Sequence, residues 1–128
     1  MENQTYIVFQ VNDVELFFDI GRYREDDDNN QDIFLEDAVR KNWDQYDIVA
    51  SVSAENLDEV FFITNFWNQP EKVHKFKEMH SLSVGDVIFD NQTKKYHIVA
   101  RYGFIEVEDM HIPTYTSSEF TKKAYSNV

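Results

Sequence analysis

The chain has 128 residues, of which 42% are hydrophobic and 16% aromatic, so it can bury the core of a single domain. It contains no cysteine, which excludes disulfides, thiolate metal sites and a cysteine nucleophile and predicts a reducing, cytoplasmic location. The formal net charge of −12 repels nucleic acid and anionic membranes and attracts basic surfaces.

The negative charge is unevenly distributed along the chain. Residues 1–70 contain sixteen acidic and four basic residues, whereas residues 71–128 contain eight of each. We predict one domain over residues 1–128, with an acidic half (1–70), a near-neutral half (71–128) and a polar C-terminal tail from about residue 114. The N-terminus has no basic region before an apolar run, so no signal peptide is expected.

Two apolar segments open the chain. Residues 5–12 are β-branched and aromatic and predict a strand. The pair Asn12-Asp13 is typical of a turn, so residues 14–20 are predicted to return as the second strand of a hairpin. Residues 22–32 have almost nothing to bury and predict an exposed loop.

The middle of the chain alternates helix and strand. Asp32 is a candidate cap for a helix that begins at Ile33, and residues 46–53 alternate as a strand. Residues 53–65 predict a short helix, capped by Ser53 or by Asn56. Its predicted inner face consists of Leu57, Val60, Phe61 and Thr64.

The C-terminal third predicts one more short helix and then strands. Residues 71–79 follow Pro70, which suits a first helical position. Residues 87–89, 96–100 and 104–107 are separated by turn residues. The predicted fold is therefore α+β, an antiparallel sheet with a C-terminal β-meander and two or three short helices packed on it.

The segment HSLSVGDVI, which begins at residue 80, contains the residue types of a hydrolase site. A nucleophilic serine needs a neighbouring base and an orienting group, and the sequence lacks a G-x-S-x-G elbow. A turn before a strand explains the same residues, because glycine tolerates positive φ and aspartate accepts from loop amides. We therefore predict that the chain is not an enzyme. The residues that we interpret as a structural motif are His80, Ser81, Ser83, Gly85 and Asp86.

The four histidines do not follow a zinc-binding pattern. His74, His80, His97 and His111 include no i, i+4 pair and no H-E-x-x-H. No metal and no cofactor are predicted. A metal-dependent enzyme that uses His74 and His80 stays open as a third hypothesis.

An acidic run is the main candidate for partner binding. It lacks the spacing and the glycine of a calcium loop, and a solvated loop is the simpler alternative. Trp67, in an aromatic segment that one helix cannot bury completely, is a candidate anchor. The predicted partner-binding residues are Glu25, Asp26, Asp27, Asp28, Asp32, Glu36, Asp37 and Trp67.

Several of these motifs together resemble the YodL-like domain family. The specific part is His80-Ser81-Leu82-Ser83-Val84-Gly85-Asp86-Val87-Ile88, and the supporting matches are Tyr6-x-x-Phe9-Gln10-Val11, Leu57-x-x-Val60-Phe61-x-x-x-Asn65, Pro70, Tyr96 and Tyr102-Gly103-Phe104. The resemblance covers most of residues 5–107 and implies occurrence in bacteria, conjugative elements or phages. It implies no established activity and no catalytic residues, and the acidic insertion at 25–32 departs from the family's pattern.

The leading functional hypothesis is a non-enzymatic, acidic protein-binding module of a phage or mobile element. It would inhibit a host protein with a basic nucleic-acid-binding surface, as in anti-restriction or anti-CRISPR inhibition, by competing with DNA or RNA. Direct DNA binding and membrane insertion are not expected, and the chain is predicted to be a monomer or small homo-oligomer. The alternative is an RNA- or ligand-binding small β-barrel-like domain that uses Lys94, Lys95, Tyr96 and Tyr102 of the C-terminal meander.

Overall fold

A computed structural model of the protein describes residues 3–11, 13, 15–17, 20 and 31–110. The acidic residues 25–28 and the predicted polar tail lie outside these ranges. The main elements are β1 (Gln4–Val11), α1 (Gln31–Lys41), β2 (Tyr46–Ala54), α2 (Leu57–Phe66), β3 (Val73–Lys75), β4 (Val87–Asp90), β5 (Lys95–Val99) and β6 (Phe104–Val107). Two 3-10 turns, Trp43–Gln45 and Pro70–Lys72, connect them.

Within the described ranges, the strands form one six-stranded sheet in the order β3-β2-β1-β4-β5-β6. Every neighbouring pair is antiparallel. The prediction of a mixed α+β fold built on an antiparallel sheet is therefore confirmed. No helix among the described residues is long and apolar enough to cross a bilayer.

Each face of the sheet carries its own hydrophobic cluster. Phe9 belongs to a cluster that includes Leu35 and Val39 of α1, whereas the adjacent Val8 belongs to one that includes Val60 and Ile63 of α2. This separation follows from the two-residue period of a strand, which sends successive side chains to opposite faces. The two helices consequently contribute to the cores on different sides of the sheet.

A β-bulge interrupts the pairing of β1 with β2. Val8 pairs with Ala50 and Phe9 pairs with Ile48, which leaves Val49 without an opposite residue on β1. The carbonyl oxygen of Val49 accepts from the backbone N–H of Phe76 at 2.8 Å and of Lys77 at 3.3 Å. The bulge therefore helps to hold the chain that follows β3 against this edge of the sheet.

The predicted strand at residues 14–20 is wrong. Residues 15–17 and 20 are helical, and the N–H of Phe17 donates to the carbonyl oxygen of Asp13 at 2.9 Å. The side chain of Asp13 accepts from the N–H of Leu16 at 3.0 Å, as an N-cap does. Asp13 thus begins a helix instead of completing a hairpin turn.

The predicted helix at residues 71–79 is also wrong. Pro70–Lys72 form a 3-10 turn, and Val73 and Lys75 pair with Val52 and Ala50 of β2. A helix of nine residues has little stability of its own without strong packing. The unpaired edge of β2, in contrast, provides backbone hydrogen-bond partners for a strand. Strand pairing therefore determines the structure of this segment.

The two main helices need smaller corrections. α1 begins at Gln31, so Asp32 lies in its first turn and not at the predicted cap position. In α2, Asn56 is the cap, because its side chain accepts from the N–H of Glu59 at 2.8 Å. The inner face of α2 contains Ile63 with the predicted Val60 and Thr64, whereas the predicted Phe61 is exposed.

Candidate functional site

The predicted structural motif forms a buried polar cluster around Asp86. This side chain is 1% exposed, and its Oδ2 accepts from Nε2 of Gln10 at 3.0 Å and from the N–H of Ser83 at 2.9 Å. Gln10, in β1, also donates to the carbonyl oxygen of His80 at 2.9 Å and accepts from its N–H at 3.2 Å. The cluster ties the segment before β4 to the centre of the sheet.

Burial raises the pKa of Asp86 well above its usual value, and the hydrogen bonds from Ser83 and Gln10 oppose that shift in part. Gln10 was not among the predicted site residues. Its position gave a signal, since it is an uncharged polar residue inside the apolar run of residues 6–11. Its partners lie about 70 residues away in sequence, as the separations of 70 and 76 show.

The side chain of Ser83 bonds to the backbone of the motif. The hydroxyl of Ser83 donates to the carbonyl oxygen of Ser81 at 3.2 Å and not to a histidine. Nδ1 of His80 lies 2.8 Å from that same oxygen, and its ring packs against Phe17 with centroids 4.6 Å apart. The contacts of His80, Ser81 and Ser83 thus organise a turn and do not form a nucleophile–base pair.

Gly85 occupies a position that other residues fit poorly. Its φ is +95°, and a Cβ atom built on it would lie 2.7 Å from Cγ2 of Ile20. Its carbonyl oxygen accepts from the hydroxyl of the buried Tyr46. Backbone conformation and close packing both favour glycine at this turn.

The predicted acidic binding residues are only partly described. Glu25, Asp26, Asp27 and Asp28 lie outside the described ranges, and Asp32 is placed only as a backbone position in α1. Oε2 of Glu36 lies 3.1 Å from Nε of Arg40, and Oδ2 of Asp37 lies 2.8 Å from Nζ of Lys41. Glu36 and Asp37 therefore pair with basic residues one turn later in their own helix.

Six other described carboxylates lie near two opposite ends of the sheet. At one end, where Val11 pairs with Tyr46, the neighbouring acids are Asp13, Glu15 and Asp44. At the other end, where Gln4 pairs with Ala54, they are Glu55, Asp58 and Asp90. These six carboxylates therefore do not form one continuous row like the phosphates of a nucleic-acid strand.

An exposed aromatic surface covers the outer side of α2. We call Phe61, Phe62 and Phe66 the aromatic face; Phe62 is 48% exposed and Phe66 66% exposed, and their ring centroids are 4.7 Å apart. Trp67, the predicted anchor, is half-buried at the left-handed C-cap, with Nζ of Lys75 4.3 Å from its ring centroid. Phe62 and Phe66 are thus better placed than Trp67 to contact a partner.

A cavity of about 470 Å³ lies beside the start of α2, at the end of the sheet where Gln4 pairs with Ala54. We call it the acidic cavity. The residues that line it include Tyr6, Asp58, Asp90, His97, Phe104 and Glu106. Burial lowers the pKa of His97, and burial followed by the charge of Asp90 raises the pKa of Tyr6.

The histidines are dispersed over the described structure. His74 stacks on Phe76 with centroids 4.8 Å apart, His80 belongs to the Asp86 cluster, and His97 lines the acidic cavity. Among the described residues, no group of three or more His, Cys, Asp or Glu side chains is arranged to hold a metal ion. The structure does not bring His74 and His80 together into such a group.

The alternative RNA-binding surface loses one of its contacts. Tyr96 is buried and packs against Phe9 and Phe89, so it cannot stack on a base. Nζ of Lys95 lies 3.3 Å from Oε2 of Glu106, whereas Tyr102 is exposed. The expectation that Tyr96 contacts a ligand is therefore wrong.

Comparisons with models of protein families, with curated proteins and with solved structures gave no match. The resemblance to the YodL-like family therefore stays a prediction from the sequence motifs. The function has to be argued from the surfaces of this chain.

Proposed function

We propose that this chain is a non-enzymatic protein-binding module whose partner presents a basic, nucleic-acid-binding surface. The observation that carries the proposal is the aromatic face of α2 next to the exposed carboxylates Glu55 and Asp58. The partner would thus bind through both apolar and charged contacts. While bound, its basic surface would be closed to DNA or RNA.

The aromatic face has the character of an interface. Single exposed hydrophobic residues are ordinary on protein surfaces, but contiguous aromatic rings are enriched where proteins bind one another. Phe62 and Phe66 lie one helical turn apart and already contact each other. Binding would therefore require little further ordering of these two side chains, which favours affinity.

The charge of the chain selects the sign of the partner. The chain carries −12 overall, and Glu55 and Asp58 have no ion pair within the described residues. Glu59 is different, since its Oε1 lies 3.3 Å from Nζ of Lys72. Unpaired carboxylates beside an apolar surface accelerate association with basic partners and disfavour acidic ones.

The proposal is tested by capture of a partner from a lysate of the cognate bacterial host. The wild type is compared with a Phe62→Ser, Phe66→Ser double variant and with the exposed control Tyr102→Ser. We expect the double variant to bind at least about tenfold more weakly, because central aromatic contacts dominate interface energies. Tyr102→Ser should bind like the wild type.

The second part of the test concerns nucleic acid. The captured protein should lose its DNA or RNA in a gel-shift assay as the chain is added, and the complex should weaken with salt. Charge reversal of Asp26, Asp27 and Asp28 to Lys should also weaken the complex between the chain and its partner. The proposal would be overturned if all variants captured the partner equally well. It would also be overturned if the partner still bound its nucleic acid fully at a saturating concentration of the chain.

A further inference from the structure

The acidic cavity contains a buried polar side chain that has no hydrogen-bonding partner among the residues the structure describes. His97 is 8% exposed and lines the cavity, and its imidazole makes no hydrogen bond to any described residue. A buried polar group without a partner costs about 1–3 kcal/mol, so such groups are rare unless a ligand or water satisfies them. The imidazole therefore indicates a position where a hydrogen-bonding group belongs.

The charges around the cavity favour a cation. Within the described residues, neither Asp58 nor Asp90 forms an ion pair, although Oδ1 of Asp90 accepts from the N–H groups of Gln92 and Thr93. Glu106, by contrast, lines the cavity and has a basic partner, since its Oε2 lies 3.3 Å from Nζ of Lys95. Phosphate or carboxylate ligands would be repelled here, whereas a cationic group would be attracted.

The chemistry of the lining favours a planar cation. A volume of about 470 Å³ is within the range of small-ligand sites. Burial lowers the pKa of His97 and so favours the neutral ring, which keeps one nitrogen as an acceptor. A guanidinium group can donate to a carboxylate and to an imidazole at the same time while its plane lies against an aromatic ring such as Phe104.

We propose that the acidic cavity binds a guanidinium group, with Asp90 and Asp58 supplying the charge and His97 a hydrogen-bond acceptor. The group would come from an arginine side chain of the protein partner, or from a free guanidinium compound of the same chemistry. The first source rests on the proposed function, because the cavity adjoins Asp58 at the start of α2. The second source requires no partner.

The direct test uses N-acetyl-arginine amide, with N-acetyl-citrulline amide as its neutral counterpart of similar shape. Binding is followed by NMR of the His97 imidazole and by calorimetry. We expect saturable binding of the arginine compound and at least about tenfold weaker binding of citrulline, a difference of about 1.4 kcal/mol. Binding of both compounds with equal affinity, or of neither, would overturn the inference.

Matched variants locate the binding site. Asp58→Asn removes an exposed carboxylate, so the fold should persist, and Asp90→Asn keeps an oxygen for the turn amides. Each should weaken arginine binding severalfold, whereas Asp44→Asn, at the opposite end of the sheet, should leave it unchanged. Equal effects of Asp58→Asn and Asp44→Asn would show general electrostatic attraction and refute a specific site.

Comparison with partner capture separates this inference from the proposed function. If the arginine compound binds but no partner depends on the aromatic face, the cavity is a small-molecule site and the proposed function fails. If capture depends on Phe62 and Phe66 but the arginine compound does not bind, the inference fails alone. If Asp58→Asn and Asp90→Asn weaken both the binding of the arginine compound and the capture of the partner, the guanidinium group belongs to the partner.

Discussion

Removal of the Gln10 side chain should destabilise the fold more than a typical single substitution does. Gln10 is 1% exposed and makes hydrogen bonds to Asp86 and to both backbone groups of His80. Truncation to alanine removes three hydrogen bonds: Oδ2 of Asp86 keeps only the N–H of Ser83, and the backbone N–H and carbonyl oxygen of His80 lose their bonds to Gln10. The cost is about 1–3 kcal/mol for each group that water cannot reach. Because His80 is partly exposed, we expect a total of about 3–5 kcal/mol, out of about 5–15 kcal/mol for a typical domain.

Urea unfolding followed by the fluorescence of buried Trp43 measures this loss. At a slope of about 2 kcal/mol per molar, Gln10→Ala should lower the midpoint by about 2 M. Gln45→Ala is the matched control, because this exposed glutamine makes one hydrogen bond of 3.4 Å, to Asp44. A loss below about 1 kcal/mol in Gln10→Ala, no larger than in the control, would refute the stabilising role of the cluster.

Three further substitutions test the local structure by the same unfolding assay. Gly85→Ala should cost about 1–3 kcal/mol more than Gly103→Ala, since both have positive φ but only Gly85 has a side chain in the way; equal losses would contradict the packing argument. Asn56→Ala should cost about 1 kcal/mol through loss of the α2 cap, and no change would contradict its capping role. Because the pKa of Asp86 is raised in the folded state, its contribution to stability is fully present below its usual pKa and is lost as pH rises through the folded value. The free energy of unfolding of Asp86→Asn should therefore increase relative to that of the wild type as pH rises. The exposed Asp44→Asn should show no such pH dependence.

Local signals were sufficient for several elements of the fold. The β-branched and aromatic residues within 5–11 and 46–53 form much of β1 and β2, and the cap at Asn56 starts α2. The failures were short segments in which two local structures compete. Asp13 offered a turn or a helix cap, and residues 71–79 matched a helix pattern until the open edge of β2 supplied partners.

The candidate sites depend on contacts that one sequence does not reveal. Gln10 meets Asp86 and His80 only because β1 and β4 are neighbours in the sheet. The acidic cavity combines β1, the start of α2 and the strands β4, β5 and β6, so His97 and Asp58 are brought together by topology alone. Sequence spacing predicts such a site only where its residues share one helix or one turn.

The aromatic face and the net charge have different physical roles in the proposed complex. Net charge acts over about 10 Å at moderate salt and mainly sets the association rate, so it does not require carboxylates on a single face. The division of Asp13 and Asp58 between opposite ends of the sheet is therefore compatible with attraction of a basic partner, although it does not provide a row of phosphate-like charges. Specific affinity has to come from contacts at short range, and Phe62 and Phe66 supply the largest exposed apolar area on α2. It follows that salt should slow formation of the complex, whereas loss of the two phenyl rings should speed its dissociation.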